Sequence, residues 1–492
     1  METQSHYGFA DIGGAAAVWT AEKDGSGRWT RRLTDSLGRT LRVDEPVSVT
    51  GDRVADLGPL NTPLMPTSYI YGKRGPVIEV RQGAQRRYFA YDPFGRLVRQ
   101  KLPEQQANPD LDSPDPETGN PGWSNLFEYD HSGNIVSATD ANGVVISSKY
   151  DDHGRLTARE YSDGTPGATF RYDLLPHGKG ELFESRNSVS VDRILSFDAL
   201  GNPLRAEQET AGETYSLEYE YTLAGEIRSE RYPSGKTTVS EHDGFGDLRR
   251  VAVRAGGTEA TYANGFRYAP NGKAMSIRLG NGSWESAGFD ASGRLIRLGL
   301  GSSAEDDSLW KAVYGYGEPV NGSPADPSRS NGAVTRIAVS SDAWPGAFVH
   351  KFRYDPAGRL SSAEEELNDS RVWTQAFGYD RFGNRTSART TIGEFDENAV
   401  ADFDPATNRH LPSSGFEYDR NGNVTRDPDG RVFVFDGRNL LTEVRSPDGV
   451  LIARYEYGPN GRRVRAVTPL ETRVFVYSLG RLASEYSTRS DP

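Results

Sequence analysis

The sequence predicts an all-β protein, a long antiparallel meander of hairpins that coils on itself. Three observations carry that prediction. A nine-residue motif recurs along the chain, as "FAYDPFGRL" at 89–97, "FRYDPAGRL" at 352–360 and "FEYDRNGNV" at 416–424. The stretch between neighbouring copies reads as strand, turn, strand. Glycine and proline, 54 and 28 residues, fall at regular turns rather than in low-complexity runs.

The motif is aromatic–x–Tyr–Asp–x–x–Gly–(Arg or Asn)–aliphatic. Its regular copies are Tyr91, Asp92, Gly95; Tyr129, Asp130, Gly133; Tyr150, Asp151, Gly154; Tyr354, Asp355, Gly358; Tyr379, Asp380, Gly383; and Tyr418, Asp419, Gly422. Phe197 and Phe289 replace the tyrosine in two further copies, and degenerate copies centre on Tyr221, Tyr268, Phe435, Tyr457 and Tyr477. Neighbouring copies are commonly roughly 20–26 residues apart, a spacing typical of stacked repeats. If x–x–Gly is a three-residue hairpin loop, a type I turn closed by a left-handed glycine, then Asp and Arg or Asn flank it. The tyrosine then faces the aliphatic residue across the hairpin, as Tyr354 faces Leu360. Aspartate suits its slot because its short carboxylate reaches the turn amides. A single hairpin is marginal in water, and a long open meander leaves edges and faces exposed. A sheet that rolls up resolves both.

Taken in order, residues 1–32 read as an N-terminal strand or cap segment, 33–485 as the repeat array, and 486–492 as a tail. Residues 103–122 and 301–346 lack the motif and read as insertions or strongly diverged repeats. The alternative architecture is a β-propeller. Its blades need about 40–45 residues each, and the shorter, uneven spacing argues against it.

Composition excludes several function classes. The net charge is -12, so neither a nucleic acid nor an anionic membrane is an expected partner of the whole chain. "RWTRR" (28–32) and "GRRVRA" (461–466) are the dense basic spots and read as solvated strand faces. There is no cysteine, hence no disulfide and no thiolate metal site. No apolar run approaches a membrane-spanning length, and the first residues lack the basic and apolar regions of a signal peptide.

At the motif residues the chain resembles the RHS/YD-repeat family: bacterial Rhs proteins, the shell-forming C subunits of insecticidal toxin complexes, and the YD shells of teneurins. The stretch from "FAYDPFGRLVRQ" to "YDDHGRLTAREYSDGT", within 89–165, is particularly similar to bacterial Rhs repeats, and the resemblance runs from about 33 to 485. It implies a strip of sheet wound into a hollow, cocoon-like shell. Such shells enclose a C-terminal toxin segment or display surfaces for adhesion. Family members often continue into a core segment with an aspartyl self-cleavage site. This chain reaches "STRSDP" before anything that matches, so no protease residue is assigned.

The function expected from the resemblance is therefore structural: the repeat shell of a secreted or cell-surface, bacterial polymorphic toxin-like protein, enclosing or presenting a polypeptide outside this chain. Its partner is that polypeptide. The alternatives are an extracellular adhesion or glycan-binding module and, least favoured, an enzyme. Trp310 and Trp344, in the diverged segment, are the candidates for stacking on a sugar. The acidic loop Asp110, Asp112, Asp115, Glu117 offers hard oxygen ligands for calcium, but its order departs from an EF-hand and the bland reading is a solvated insertion. Asp419, Asn421 and Asn423 alternate similarly but belong to a repeat's own turn. No HExxH, G-x-S-x-G or phosphate-binding loop is present, so no catalytic residue, cofactor or metal ligand is assigned.

Overall fold

The computed structural model describes residues 5–12, 15–24, 28–46, 53–111, 113–115, 117–120, 122–317, 332–355, 357–392 and 395–489. Among them are 39 β-strands and three short 3-10 turns, at Val54–Leu57, Pro109–Leu111 and Pro412–Ser414. The sheet is antiparallel, consecutive strands pairing through tight hairpins. Thirty-one strands belong to one sheet and eight, from Glu417–Tyr418 to Arg481–Arg489, to a second. Propeller blades would divide the strands into sheets of about four, so the propeller alternative is set aside.

Contacts group the chain into two interleaved units, Met1–Tyr88 with Asn264–His410 and Phe89–Ala263 with Leu411–Pro492. Among the described residues each has a small buried apolar cluster. In the first unit Ala21, Trp29 and Leu57 pack together. In the second, Leu217 and Tyr219 pack on Val474 and Val476. Thin cores of this kind match a chain with 35% hydrophobic residues.

The hairpin geometry explains the motif. In the 354–360 copy, the Asp355 amide donates to the Arg359 carbonyl at 2.8 Å and the Gly358 amide to the Asp355 carbonyl at 2.9 Å. All six regular copies share this bonding, and their glycines have φ between 74° and 98°. Tyr354 pairs with Leu360, Tyr129 with Ile135, Tyr150 with Leu156 and Tyr418 with Val424; Tyr379 faces Arg385 instead. The six tyrosines are half-buried, whereas turn tips such as Phe94, Leu223 and Phe245 are exposed.

The diverged segments also build structure. Within 301–346, strands Trp310–Tyr316 and Val334–Ser340 form a hairpin of the main sheet. Within 103–122, Asn108 is buried and its amide donates to the carbonyl of Trp123, whose indole is fully covered and donates to the Ser113 carbonyl at 3.0 Å.

The basic spots are solvated only in part: Arg32, Arg462 and Arg463 are exposed, whereas other arginines are engaged. Arg31 is buried and pairs with the fully buried Asp44 at 2.7 Å, and Arg42 approaches the same carboxylate at 2.7 Å. Arg31 and Arg42 also donate to the Gly58 and Leu60 carbonyls. Arg463 stacks on the Tyr455 ring at 4.0 Å, and Arg465 bonds Glu456. An arginine on the buried face of a strand, such as Arg31, pairs with a carboxylate, while Arg32 on the other face stays exposed.

A Cβ at Gly358 would meet nothing within 4 Å, so any penalty for substitution there is conformational. Gly358→Ala is expected to destabilise the first unit by about 1–2 kcal/mol, the cost of holding an L-residue left-handed, and Gly358→Val by more. Urea unfolding of the variants measures this; Val equal to wild type would show that the turn does not need its glycine.

Candidate functional site

Two features organise the described residues into something beyond separate hairpins. The first is a lock from each hairpin to the next. The repeat aspartate accepts the amides of the turn with one oxygen and the arginine or asparagine side chain with the other. Asp92 Oδ1 accepts from the Phe94 and Arg96 amides at 2.9 Å each, and Oδ2 from Arg96 Nε at 2.7 Å. Asp130 and Asp380 do the same with Asn134 and Asn384.

The arginine then reaches the following hairpin. Arg96 lies 4.7 Å from the Tyr129 ring centre and donates to the Asp130 carbonyl at 3.1 Å, while the Tyr129 hydroxyl donates to the Leu97 carbonyl at 2.6 Å. Arg359, Tyr379 and Leu360 repeat the arrangement, at 4.8 Å for the ring contact and 2.8 Å for the hydroxyl bond. It recurs at Arg39 with Tyr71, Arg155 with Tyr172, Arg294 with Tyr316 and Arg438 with Tyr457. Tyr316 lies in the diverged segment, where the motif itself is unreadable. The tyrosine hydroxyl's acceptor is a backbone carbonyl, so no sequence signal marks it.

These bonds set the titration of the carboxylates. The Asn134 side-chain amide does most to hold Asp130 below the usual carboxylate range. The Arg155 amide does the same for Asp151, against some desolvation, with the guanidinium adding to it. Asp173, bonded to Arg155 and to the Gly180 amide, falls to about 2.

The second feature is a seam inside the second unit, where stretches far apart in sequence lie side by side. The Asp140–Asn142 turn meets the Asp419–Asn421 turn through four bonds. Ala141 and Arg420 donate backbone amides to Asn421 and Asn142, and the side-chain amides of Asn142 and Asn421 donate to Asp419 and Asp140, at 2.6–3.0 Å. Further along, Gly437 N donates to Thr165 Oγ1 at 2.7 Å and Asn187 Nδ2 to the Tyr457 carbonyl at 2.9 Å. Gln208 then bridges the Phe475 carbonyl and the Tyr477 amide, and Tyr219 meets Ser478 at 2.8 Å. Partners are 281 residues apart at the first of these contacts and 259 at the last. Asp419 and Asn421, which alternate like metal ligands in the sequence, are therefore seam residues.

A cavity of about 190 Å³ opens on this seam. Phe183, Ile194, Leu217 and Val464 give it apolar walls; Asp192, Gln208, Arg462 and Tyr219 give it polar ones. Asp192 is half-buried, with its open surface on the cavity. Burial raises its carboxyl to about 6, partly offset by Arg462 and a bond from Ser185. Burial likewise pushes Tyr219 up to about 12.

The expected site residues are placed as follows. In the acidic loop, Asp115 spends an oxygen on the Glu117 amide at 2.7 Å; Asp112 lies outside the described residues. Among the described residues no group of three or more His, Asp or Glu side chains gathers in a way that could hold a metal ion. Trp344 is 40% exposed and meets Phe348 edge-on at 5.6 Å; Trp310 is half-buried. Among the described residues no helix is long and apolar enough to cross a membrane.

The fold and lock define a β-hairpin repeat sheet. Residues 129–166 match the RHS Repeat family, and the motif and hairpin of that segment recur through both units. Double-stranded DNA deaminase toxin A of Burkholderia cenocepacia (strain H111) is 26% identical over 465 residues, covering 85% of this chain and 28% of that protein. The crystal structure of TcdB2-TccC3 without its hypervariable C-terminal region shares the fold with a TM-score of 0.78 and 15% identity, over 97% of this chain and 26% of that one. A Photorhabdus luminescens Tc holotoxin pore structure matches with a TM-score of 0.75 and 15% identity, over 94% of this chain and 25% of that one. The chain thus spans about a quarter of the length of these relatives.

Tyr129→Phe should cost about 1 kcal/mol, the net worth of one hydrogen bond. Arg96→Lys should also destabilise although it keeps the charge, because an ammonium cannot bridge carboxylate, carbonyl and ring together. Asp92, Asp130 and Asp151 have lowered folded values, so their contribution is whole above about pH 4 and is lost as pH falls through those values. Urea unfolding of both variants, and of the wild type from pH 5 to pH 2, measures all three; an Arg96→Lys protein as stable as wild type would contradict the bridging role.

Proposed function

We propose that this chain is part of the structural shell of a secreted Rhs/YD polymorphic toxin-like protein, and that the shell encloses or presents a polypeptide lying outside the chain. The observation that carries this reading is the fold match across 97% of the chain to TcdB2-TccC3, crystallised without a hypervariable C-terminal region. The relative whose name is a DNA deaminase toxin points the same way, since the alignment covers 28% of that protein. On this reading the chain is a scaffold and chemistry belongs to the enclosed segment. The motif residues support it: their side chains are engaged in turn and hairpin contacts. In the parent protein, the segment downstream of the shell should resist added protease while the intact shell is present, and become cleavable once the shell is unfolded. Equal cleavage in both conditions would overturn the container role.

A display role on glycans rests on a narrower observation, the exposed face of Trp344 beside Phe348. Binding on a glycan array that disappears in Trp344→Ala, with Trp310→Ala as the companion variant, is the expected result for that role. No binding by the wild type would discard it.

A further inference from the structure

Two strands per repeat place every Tyr–Asp turn on one edge of the sheet and the turns between repeats on the other. In the second unit this holds for an early run, 125–255, and a late run, 417–489. The seam joins the motif edge of the late run to the opposite edge of the early run. Its turn contacts are polar: Asn421 takes the Ala141 amide and donates to Asp140, and Gly437 donates to Thr165. Two edges of this unit are left over, the motif edge of the early run and the opposite edge of the late run.

Both leftover edges are apolar at their turns. The last four motif turns of the early run, 173–180, 198–201, 222–225 and 243–246, carry Leu174, Leu200, Leu223 and Phe245, which are 50–100% exposed. A single exposed leucine is ordinary, but four in consecutive turns are not. Turns two strands apart stand about 10 Å from each other, so the row is about 30 Å long. On the leftover edge of the late run, three successive turns expose Pro428, Pro447 with Val450, and Pro469 with Leu470.

The substitutions on the two edges match each other. Leu200 and Phe245 occupy the slot that Asn421 has in its own turn, immediately before the glycine. Pro428, Pro447 and Pro469 occupy the slot of Ala141, whose amide bonds Asn421 across the seam. Proline has no N–H, and leucine or phenylalanine offers no side-chain acceptor. The seam's bond is thus erased from both sides at once, and apolar surface stands in both places. The leftover edges cannot imitate the polar seam, but they suit one another.

We infer that the motif edge at 173–246 of one copy docks on the opposite edge at 427–470 of a second copy, an apolar continuation of the seam between molecules. The surfaces differ, so the contact is head-to-tail and leaves one edge of each kind open on every assembly that does not close into a ring. The inference goes beyond the shell reading and does not depend on it.

Sedimentation velocity of the whole chain over a rising concentration series tests it. The wild type should pass from monomer through dimer to longer species. Leu223→Ser with Phe245→Ser disables the first edge, and Val450→Ser with Leu470→Ser the second; all four side chains are exposed, so neither pair removes core packing. Each double variant alone should associate on the order of 100-fold more weakly. Mixed together, the two should form a pair that grows no further, since each keeps the edge that the other has lost. That pair also shows that both are folded. A wild type that stays monomeric, variants that associate as the wild type does, or a mixture no different from its parts would overturn the inference. Flotation of a monomeric wild type with neutral phosphatidylcholine vesicles, lost in the Leu223 and Phe245 variant, would overturn it too and assign the row to a lipid surface.

Discussion

The aspartate at the foot of each regular glycine-tipped turn is the constraint on which the rest of the structure depends. A carboxylate has two oxygens and about four acceptor positions. One oxygen closes the turn by taking two amides; the other fixes the Arg or Asn side chain in one direction. With that direction fixed, the guanidinium of Arg96 lies over the next tyrosine and reaches the next carbonyl. Local turn chemistry is thereby converted into contact between successive hairpins. The chain behaves as a quasi-one-dimensional solid, in which each unit is held chiefly by its neighbours.

This division of labour explains the composition. The buried apolar clusters are small, with Leu217, Tyr219, Val474 and Val476 as the chief residues of one. A charge-assisted hydrogen bond or a cation over an aromatic face contributes modestly at each site. Repetition makes the sum large, and the arrangement needs no thick core. It also accounts for arginine over lysine in the motif: one planar fork serves the carboxylate of its own hairpin and the carbonyl and ring of the next.

What was legible in the sequence was what is local. Asp355, Gly358 and Arg359 lie within five positions, and the register of Tyr354 on Leu360 follows from the loop length alone. What was not legible has no side-chain signature or spans too much chain. The acceptor of the Tyr129 hydroxyl is the Leu97 carbonyl, which every residue type would supply. Arg31 reads as part of a solvated basic patch until Asp44 and the Gly58 carbonyl come together around it. The seam pairing of Asn142 with Asn421 depends on the accumulated twist and bend of many hairpins. No window of sequence contains that information.

Degenerate copies show how far the constraint can be relaxed. Where Asp243 faces Asp247 instead of a cation, Arg249 reaches back from two residues further on and bonds Asp243 at 2.8 Å. Where Thr222 and Glu226 replace the pair, the Thr222 hydroxyl donates to the Glu226 carboxylate and accepts the Glu226 amide. Each hairpin recovers its tie from nearby, and the strand order survives. That tolerance bears on the proposed container role. A protein that folds around a filled core must match its interior to what it holds. A sheet whose stability comes from ties between adjacent hairpins places no such demand on its face, because nothing needs to pack there for the hairpins to persist. Such a face can lie against polypeptides of differing sequence without losing its own fold, which suits a shell whose contents vary while its repeats do not.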